Sequence, residues 1–233
     1  MMGALILALV MQPAALGQML TTGVGPKPAT GGGGAITLVA HGFKTGGGAT
    51  PALNTAGATL LVACVLGSSA PTAPTDSLGN TWQSPAAPVG KDTSQGIGAA
   101  LYYVFNPTVG GSHTFTNTYS SSALVVAAFS GTLTTSGVYD TGTSSGNTAV
   151  PGSTVQPGAI TASAGELLFT CMAQQNTGTL SINSGFAILD TPAPFGTPAG
   201  DAYLLASAGS VNPTWTISSA TRSIAVMAGF KHP

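Results

Sequence analysis

The sequence has very little charge. Lys, Arg, Asp and Glu together make up 5% of its 233 residues, whereas soluble domains usually carry about 25%. A surface of Ser, Thr, Gly, Asn and Ala has little charge repulsion to keep copies apart, so we expect self-association or packing into an assembly. The net charge is -1 and there is no basic cluster. Nucleic acid binding by phosphate neutralisation is therefore disfavoured.

Cysteine is also scarce. Cys64 and Cys171 are too few for a disulfide framework, and both lie inside apolar runs. We expect two buried thiols in a protein that assembles in a reducing cytosol. A bridge between them is the alternative, and it would require the two strands to be neighbours.

The N-terminal segment lacks an apolar run long enough to cross a bilayer, because Ala4–Met11 falls well short of the roughly 20 residues required. Its length suits a secretory signal, and Ala15-Leu16-Gly17 resembles a cleavage site, but no Lys or Arg precedes the run. We expect a peptide that docks into a partner or sister subunit; a signal sequence and an element of the chain's own core are the alternatives. The expected docking residues are Leu5, Ile6, Leu7, Leu9, Val10 and Met11.

What the sequence does contain is apolar residues and turn formers. Hydrophobic residues make up 43%, with 33 Gly and 16 Pro, a balance opposite to that of disordered chains. A Gly/Pro-rich linker, residues 21–34, separates the apolar arm from the rest of the chain. We therefore predict an arm and linker over residues 1–34 and one domain over residues 35–233.

Thr59–Leu66 is the stretch around which this domain is organised. It is short, rich in Val and Leu, and bounded by Gly57 and Gly67, which predicts a central strand buried on both faces. Leu167–Met172 repeats it in the second half of the chain. Further strands are predicted at residues 36–40, 99–105, 113–119 and 123–130, with an edge strand near 138–143. This spacing predicts an all-β fold with a single β-sandwich.

The second half of the chain repeats the first. Two pseudo-repeats, residues 35–131 and 139–231, are related by a shift of about one hundred residues, which indicates internal pseudo-twofold duplication. The matched residues are Cys64 with Cys171, Tyr102 with Tyr203, Phe115 with Trp215, and Phe129 with Phe230. Because each half is small, we expect the two halves to share one core.

The residue types that carry chemistry are scattered. A glycosidase would need two facing carboxylates, but no two acidic residues are adjacent in sequence, and the sequence does not show whether the fold brings two together. Zinc would need His and Cys at characteristic spacings, which are not present. The acidic residues stand singly at Asp76, Asp92, Asp140, Glu166, Asp190 and Asp201, and the isolated histidines are His41, His113 and His232. We expect surface or strand-edge histidines, and we predict no catalytic, cofactor or metal site.

Two features have both a structural and a binding interpretation. The Asp76–Asn80 turn is expected to be structural, with Ca²⁺ binding through oxygen ligands as the alternative. The large aromatic residues are expected in the core, with stacking on sugars as the alternative. These residues are Trp82, Tyr102, Tyr103, Tyr119, Tyr203 and Trp215.

Five motifs together resemble a β-sandwich module of tailed-phage virion proteins that also occurs in some bacterial extracellular proteins. They are Ala-Gly-Ala-Thr-Leu-Leu-Val-Ala (56–63), Asp-Ser-Leu-Gly-Asn-Thr-Trp (76–82), Leu-Tyr-Tyr-Val (101–104), Gly-Gly-Ser-His-Thr-Phe-Thr (110–116) and Ala-Leu-Val-Val-Ala-Ala-Phe-Ser-Gly (123–131). The resemblance covers about residues 35–231 and implies a jelly-roll-like module without catalytic residues. The apolar leader is similar to the attachment peptides of phage appendage proteins.

The resulting expectation is a non-enzymatic phage virion protein, either a tail fibre or tip component or a capsid decoration protein. Its expected partners are other virion proteins and further copies of itself, with a host surface glycan as a candidate ligand. The alternative is a secreted carbohydrate-binding or adhesin module.

Overall fold

The computed structural model describes residues 35–67, 71–85, 89–92, 96–146, 150–194 and 197–233. The predicted arm and linker, with all six docking residues, lie outside these ranges. The first half contains β1 (Thr37–Thr45), β2 (Gly48–Ala49), β3 (Leu60–Leu66), β4 (Thr75–Asp76), β5 (Val89–Asp92), β6 (Ile97–Phe105), β7 (Phe115–Asn117) and β8 (Ala123–Ser130). A 3-10 turn, Ser136–Val138, leads into the second half.

The second half contains β9 (Tyr139–Gly146), β10 (Gly152–Val155), β11 (Ile160–Ala162), β12 (Leu167–Gln174), β13 (Leu180–Ile182), β14 (Ala187–Asp190), β15 (Ala199–Leu205), β16 (Gly209–Val211), β17 (Trp215–Thr221) and β18 (Ser223–Phe230). The predicted all-β class is confirmed. Among the residues just described, no helix is long and apolar enough to span a membrane.

Each half contributes one large antiparallel sheet and a smaller one. The large sheets have the orders β1-β8-β3-β6-β5 and β9-β18-β12-β15-β14, and the small sheets have the orders β2-β7-β4 and β10-β17-β13. Strands in corresponding positions of the two halves therefore have the same neighbours. The second half also has a β11-β16 pair.

The two central strands are buried on both faces. Every residue of β3 and of β12 is buried, as the short apolar runs predicted. Because side chains alternate between the faces of a strand, one half of each run lies in the space between the two large sheets, and the other half faces the small sheet of the same half of the chain. The central strands are therefore the middle of a layered structure.

The space between the two large sheets, which we call the seam, holds the largest apolar cluster. It combines residues of both halves, including Leu60 and Leu101 with Phe169 and Val226. The expected shared core is therefore present. It is not the whole interior, because each half has a further cluster beneath its small sheet, around Phe115 in the first half and Trp215 in the second.

A disulfide crosses the seam. Cys64 of β3 and Cys171 of β12 are bonded, with Cα atoms 6.7 Å apart, and both are fully buried. The expectation of two free thiols is therefore wrong. The strands β3 and β12 are neighbours, but they lie face to face in two sheets and not side by side in one sheet. A sequence pattern does not reveal this arrangement.

Aromatic rings form reciprocal contacts across the seam. Phe129 of the first half lies 5.5 Å from Tyr203 of the second, and Phe230 of the second half lies 5.5 Å from Tyr103 of the first, measured between ring centroids. Both contacts are tilted or edge-to-face, as aromatic pairs prefer. Each half thus uses the same pair of residue types against the other.

The strand register corrects one of the sequence matches. Leu101 of β6 is opposite Cys64, and Asp201 of β15 is opposite Cys171. This pairing makes Tyr203 correspond to Tyr103. The predicted match of Tyr203 with Tyr102 is therefore wrong. The error arose because Tyr102 and Tyr103 are adjacent and only one of them faces the seam.

The seam has two rims, each formed by an edge strand from each half. At one rim β1 lies against β14, and at the other β5 lies against β9. By strand order β1 corresponds to β9 and β14 to β5, so the two rims occupy corresponding positions in the two large sheets. We refer to them as the β1–β14 rim and the β5–β9 rim.

Candidate functional site

The predicted docking residues of the arm are not described, so the candidate sites are those of the folded domain. Four arrangements of polar side chains or open space stand out: a buried network around Asp76, a group at the β1–β14 rim, an ion pair near the C-terminus, and a pocket in the second half.

Asp76 ends β4 and holds the following turn together. Its Oδ1 accepts hydrogen bonds from the backbone N–H of Leu78 at 3.0 Å and of Asn80 at 3.3 Å, and from the side chain of Asn80 at 3.1 Å. Its Oδ2 accepts from Trp82 Nε1 at 2.9 Å. Gly79 supplies the left-handed backbone, with φ of 74°, that the turn requires. The interpretation as a structural turn is supported, because these donors already occupy the oxygens that Ca²⁺ would need.

His113 extends this network into the interior. Its Nε2 lies 3.0 Å from Asp76 Oδ1 and its Nδ1 lies 3.0 Å from Thr55 Oγ1. Because an ionised carboxylate only accepts hydrogen bonds, Nε2 carries the proton. The order of hydroxyl, imidazole and carboxylate matches that of a hydrolase triad. However, all three side chains are fully buried, so no substrate can reach Thr55 in this conformation, and the network ties loops together.

The pKa of the Asp76 carboxyl is lowered. Burial is the largest influence and acts to raise the pKa, but the hydrogen bonds from His113, the backbone N–H groups and Trp82 together outweigh it. Asp76 is therefore a buried carboxylate that its donors keep ionised.

The β1–β14 rim brings together three titratable side chains from both halves. His41 Nδ1 on β1 lies 3.0 Å from Asp190 Oδ2 on β14, and the backbone N–H of Asp190 donates to Asp201 Oδ1 at 3.1 Å. The side chain of His41 is 38% exposed and that of Asp190 is 9% exposed, while Asp201 is fully buried. This group spans the rim from solvent to core.

Asp201 lacks the donors that surround Asp76. Its Oδ2 is buried without a hydrogen-bond partner. Burial, reinforced by the nearby charge of Asp190, raises the pKa of Asp201 well above its ordinary value. The hydrogen bond to Asp190 chiefly, opposed by partial burial, raises the pKa of His41. Protonation is therefore favoured at two of the three members of this group.

A third group lies where the last strand ends. Lys231 Nζ is 2.6 Å from Asp140 Oδ1, and both side chains are partly exposed. Glu166 is buried beside them and accepts from the Ser163 N–H at 2.8 Å, while its Oε1 has no partner. Burial above all raises the pKa of Glu166. An exposed ion pair of this kind contributes little to stability.

The second half has an open pocket of about 430 Å³ between β9, β10 and the start of β17. Its lining is uncharged and includes Ser145, Thr154, Gln156 and Thr214. Gln156 Nε2 donates to Thr214 Oγ1 at 2.9 Å. Hydroxyl and amide groups of this kind suit a neutral polar ligand, but no aromatic ring lines the pocket for a sugar to stack on.

The expectation of surface or strand-edge histidines is wrong for His113, which is fully buried. The fold brings together acids that stand singly in the sequence, since Asp190 lies beside Asp201 and Asp140 beside Glu166. The two acids of each pair lie too far apart in the sequence for a motif to indicate that they are close in space. Across the described ranges, no group of three or more His, Cys, Asp or Glu side chains is arranged to bind a metal ion.

The aromatic residues expected in the core are largely there. Trp215, Tyr102 and Tyr103 are buried, and Tyr203 packs against the seam cluster. Trp82 is partly buried and forms an edge-to-face contact with Phe115, 6.1 Å between centroids. Trp215 Nε1 donates to Thr170 at 3.2 Å.

Comparisons with models of protein families, with curated proteins and with solved structures gave no match.

Proposed function

We propose that each half of the domain is a jelly roll and that the chain arose by internal duplication. A jelly roll places its first, eighth, third and sixth strands in one sheet, and its second, seventh and fourth strands in the other with the fifth. The orders β1-β8-β3-β6 and β2-β7-β4 support this proposal. The fifth strand departs from the pattern, because β5 pairs with β6 at the edge of the large sheet.

The duplication is supported by the same orders in the second half, where β10 takes the place of β2, β13 that of β4 and β14 that of β5. Two further observations support it. The disulfide joins residues in matching positions of the two central strands, and the two aromatic contacts across the seam are reciprocal. A pseudo-twofold axis would therefore pass near the disulfide.

We propose that the chain is a non-enzymatic structural protein of a phage virion. The observation that carries this proposal is the doubled jelly-roll strand order, because jelly rolls are the modules of many viral capsid proteins. The covalently joined seam suits a rigid displayed body. The 5% charge content suits burial among other subunits. Within the virion, a tail fibre or tip component and a capsid decoration protein fit equally well.

In this proposal the apolar arm attaches the domain to other virion proteins and the domain faces outward, where further copies or a host glycan would bind. The test is the triple variant Leu5→Ser, Leu7→Ser and Leu9→Ser, measured by the amount of protein that sediments with purified particles. Loss of incorporation with an unchanged unfolding curve is expected. The control is Leu205→Ser, since Leu205 is an exposed apolar residue of the domain. Normal incorporation of the triple variant would contradict the docking role.

A second candidate, a secreted adhesin or carbohydrate-binding module, is favoured by the disulfide. Disulfides form and persist in oxidising compartments and are rare in the cytosol, and Cys64–Cys171 lies at the centre of the domain. In this case the arm would be a signal peptide. N-terminal sequencing of the protein from its native source separates the two, because retention of Met1 or Met2 excludes secretory cleavage and a start near Gln18 supports it.

A further inference from the structure

The two rims of the seam differ in the residues that they hold at corresponding positions. At the β1–β14 rim, His41 is opposite Ala127 in the ladder with β8; the equivalent position at the other rim is Gly142, opposite Ala228 of β18. Asp201 corresponds to Leu101, since these two residues are opposite the bonded cysteines. Of the positions compared, those at the β1–β14 rim hold the titratable residues His41 and Asp201. The β5–β9 rim has titratable residues at other positions, Lys91 and Asp92 on β5 and Tyr139 and Asp140 on β9.

Near the β5–β9 rim, β5 packs closely against β18, the strand that pairs with β9. A Cβ placed on Gly90 of β5 would overlap the side chain of Ile224 on β18, so backbone and side chain meet there without space between them. Contacts of this kind depend on shape and apolar area, which do not change with pH. The Gly90–Ile224 contact, and not the whole rim, is therefore the internal reference for the β1–β14 rim, because Asp140 on β9 forms an ion pair with Lys231.

The β1–β14 rim is closed by a contact that changes with protonation. His41 and Asp190 attract each other strongly only while His41 carries its proton, and they belong to different halves of the chain. Behind them, Asp201 has a buried oxygen without a partner. If Asp201 lost its proton, a second negative charge would lie beside Asp190 inside the core, and the rim would be destabilised.

Within the described part of the chain, the strands packed against this group supply no other charge to compensate. β8, which pairs with β1, has no titratable residue, and Asp190 is the only one on β14. On β15, Asp201 and the phenol of Tyr203 complete the set. Lys44 lies further along β1 and forms no ion pair with any of them among the described residues.

We propose that the β1–β14 rim is a proton-dependent clasp, in which protonated His41 and neutral Asp201 hold the edges of the two halves together, and loss of either proton loosens this rim alone. The disulfide keeps the middle of the seam joined throughout. Opening is thus confined to one side, where it would expose the inward faces of β1 and β14.

The direction of the pH dependence follows from the direction in which the pKa of each group is shifted. The pKa of His41 is raised in the folded protein, so its contribution to stability is full below its ordinary value of 6.5 and is lost as pH rises through the folded value. The pKa of Asp201 is also raised, so its protonated form stabilises the fold relative to higher pH. Both groups therefore predict a tighter rim in mild acid than in mild alkali.

Amide hydrogen exchange read by mass spectrometry tests the clasp, with the intact protein at about pH 5 and about pH 8, either side of the histidine range. After correction for the intrinsic pH dependence of exchange, protection of β1 and β14 should fall severalfold from the lower to the higher pH. Protection of β5 around Gly90 should change much less.

His41→Gln should reduce the pH dependence of β1 and β14 to the part that Asp201 contributes, because Gln keeps a polar side chain that does not titrate. His232→Gln is the matched control, since His232 is exposed and hydrogen-bonds only a backbone carbonyl, that of Ala164; this variant should behave as the unsubstituted protein. A pH response around Gly90 equal to that of β1 and β14, or an unchanged response in His41→Gln, would overturn the proposal.

Discussion

Asp76 and Asp201 are both buried aspartates, yet the domain treats them in opposite ways. Asp76 receives hydrogen bonds from two backbone N–H groups and from Asn80, Trp82 and His113, and its pKa is lowered. Asp201 has an oxygen without a partner, and its pKa is raised well above the ordinary value. Burial alone therefore does not decide the charge of a carboxyl group; the number of donors aimed at it does.

The difference separates two roles. In the first half, the Asp76 network fixes loops around a small sheet and acts as part of the scaffold. At the seam, Asp201 takes the position that Leu101 occupies in the other half, where an apolar residue would pack without cost. Compared with a leucine, an acid with one buried oxygen that lacks a partner should lower the stability at this position and make it respond to protons.

Replacing Asp76 should have the largest effect. Asp76→Leu would leave His113, Trp82 and Asn80 without their acceptor, and the loss of one partner from a buried charged network costs about 3 to 5 kcal/mol. Urea unfolding measures this loss. Asp76→Asn, which keeps one oxygen acceptor at the same size, should lose less. Equal stability of Asp76→Leu and the unsubstituted protein would show that the network is not structural.

Shortening one buried leucine side chain in each central strand should have the next largest effect. It also compares the two halves directly. Leu61→Ala and Leu168→Ala remove buried side chains that face the small sheet of their own half. Each should cost about 2 to 5 kcal/mol of unfolding free energy. If denaturant unfolding found one of them without cost, the corresponding layer would not be packed as described.

Replacing Asp201 should have a smaller effect of opposite sign. Asp201→Leu introduces the residue of the equivalent position and removes an unsatisfied buried group, which should stabilise the domain by about 1 to 3 kcal/mol. The reverse change, Leu101→Asp, is the matched control and should destabilise. Destabilisation by Asp201→Leu at neutral pH would mean that the hydrogen bond from the Asp190 N–H to Asp201 Oδ1 outweighs the cost of the unsatisfied Oδ2.

The sequence predicted the features that depend on neighbouring residues. Thr59–Leu66 was identified as a doubly buried central strand by its length and its flanking glycines, and the Asp76–Asn80 turn by the spacing of Asp, Gly and Asn. The proposed repeat is indicated by a shift of about one hundred residues between matching motifs. These signals are local or periodic, so a pattern can carry them.

Contacts between distant residues could not be predicted in this way. His113 reaches Asp76 only because β7 pairs with β4, and His41 reaches Asp190 only because the two large sheets stack. The disulfide was missed for the same reason, since its cysteines face each other across sheets. An alignment of the two halves that follows the strand register matches Asp201 with Leu101. In that alignment Asp201 is an acid at a position where the other half has an apolar residue.

The contrast and the clasp both depend on the claim that Asp76 is ionised and Asp201 is neutral. Carbon-13 NMR titration of the aspartate carboxyl groups, assigned with the Asp76→Asn and Asp201→Leu variants, measures both pKa values in one experiment. We expect Asp76 to titrate below its ordinary value of 3.8, so that its stabilisation is lost only as pH falls through that lower pKa, and Asp201 to stay protonated well above 3.8. Titration of both carboxyl groups near 3.8 would contradict the account.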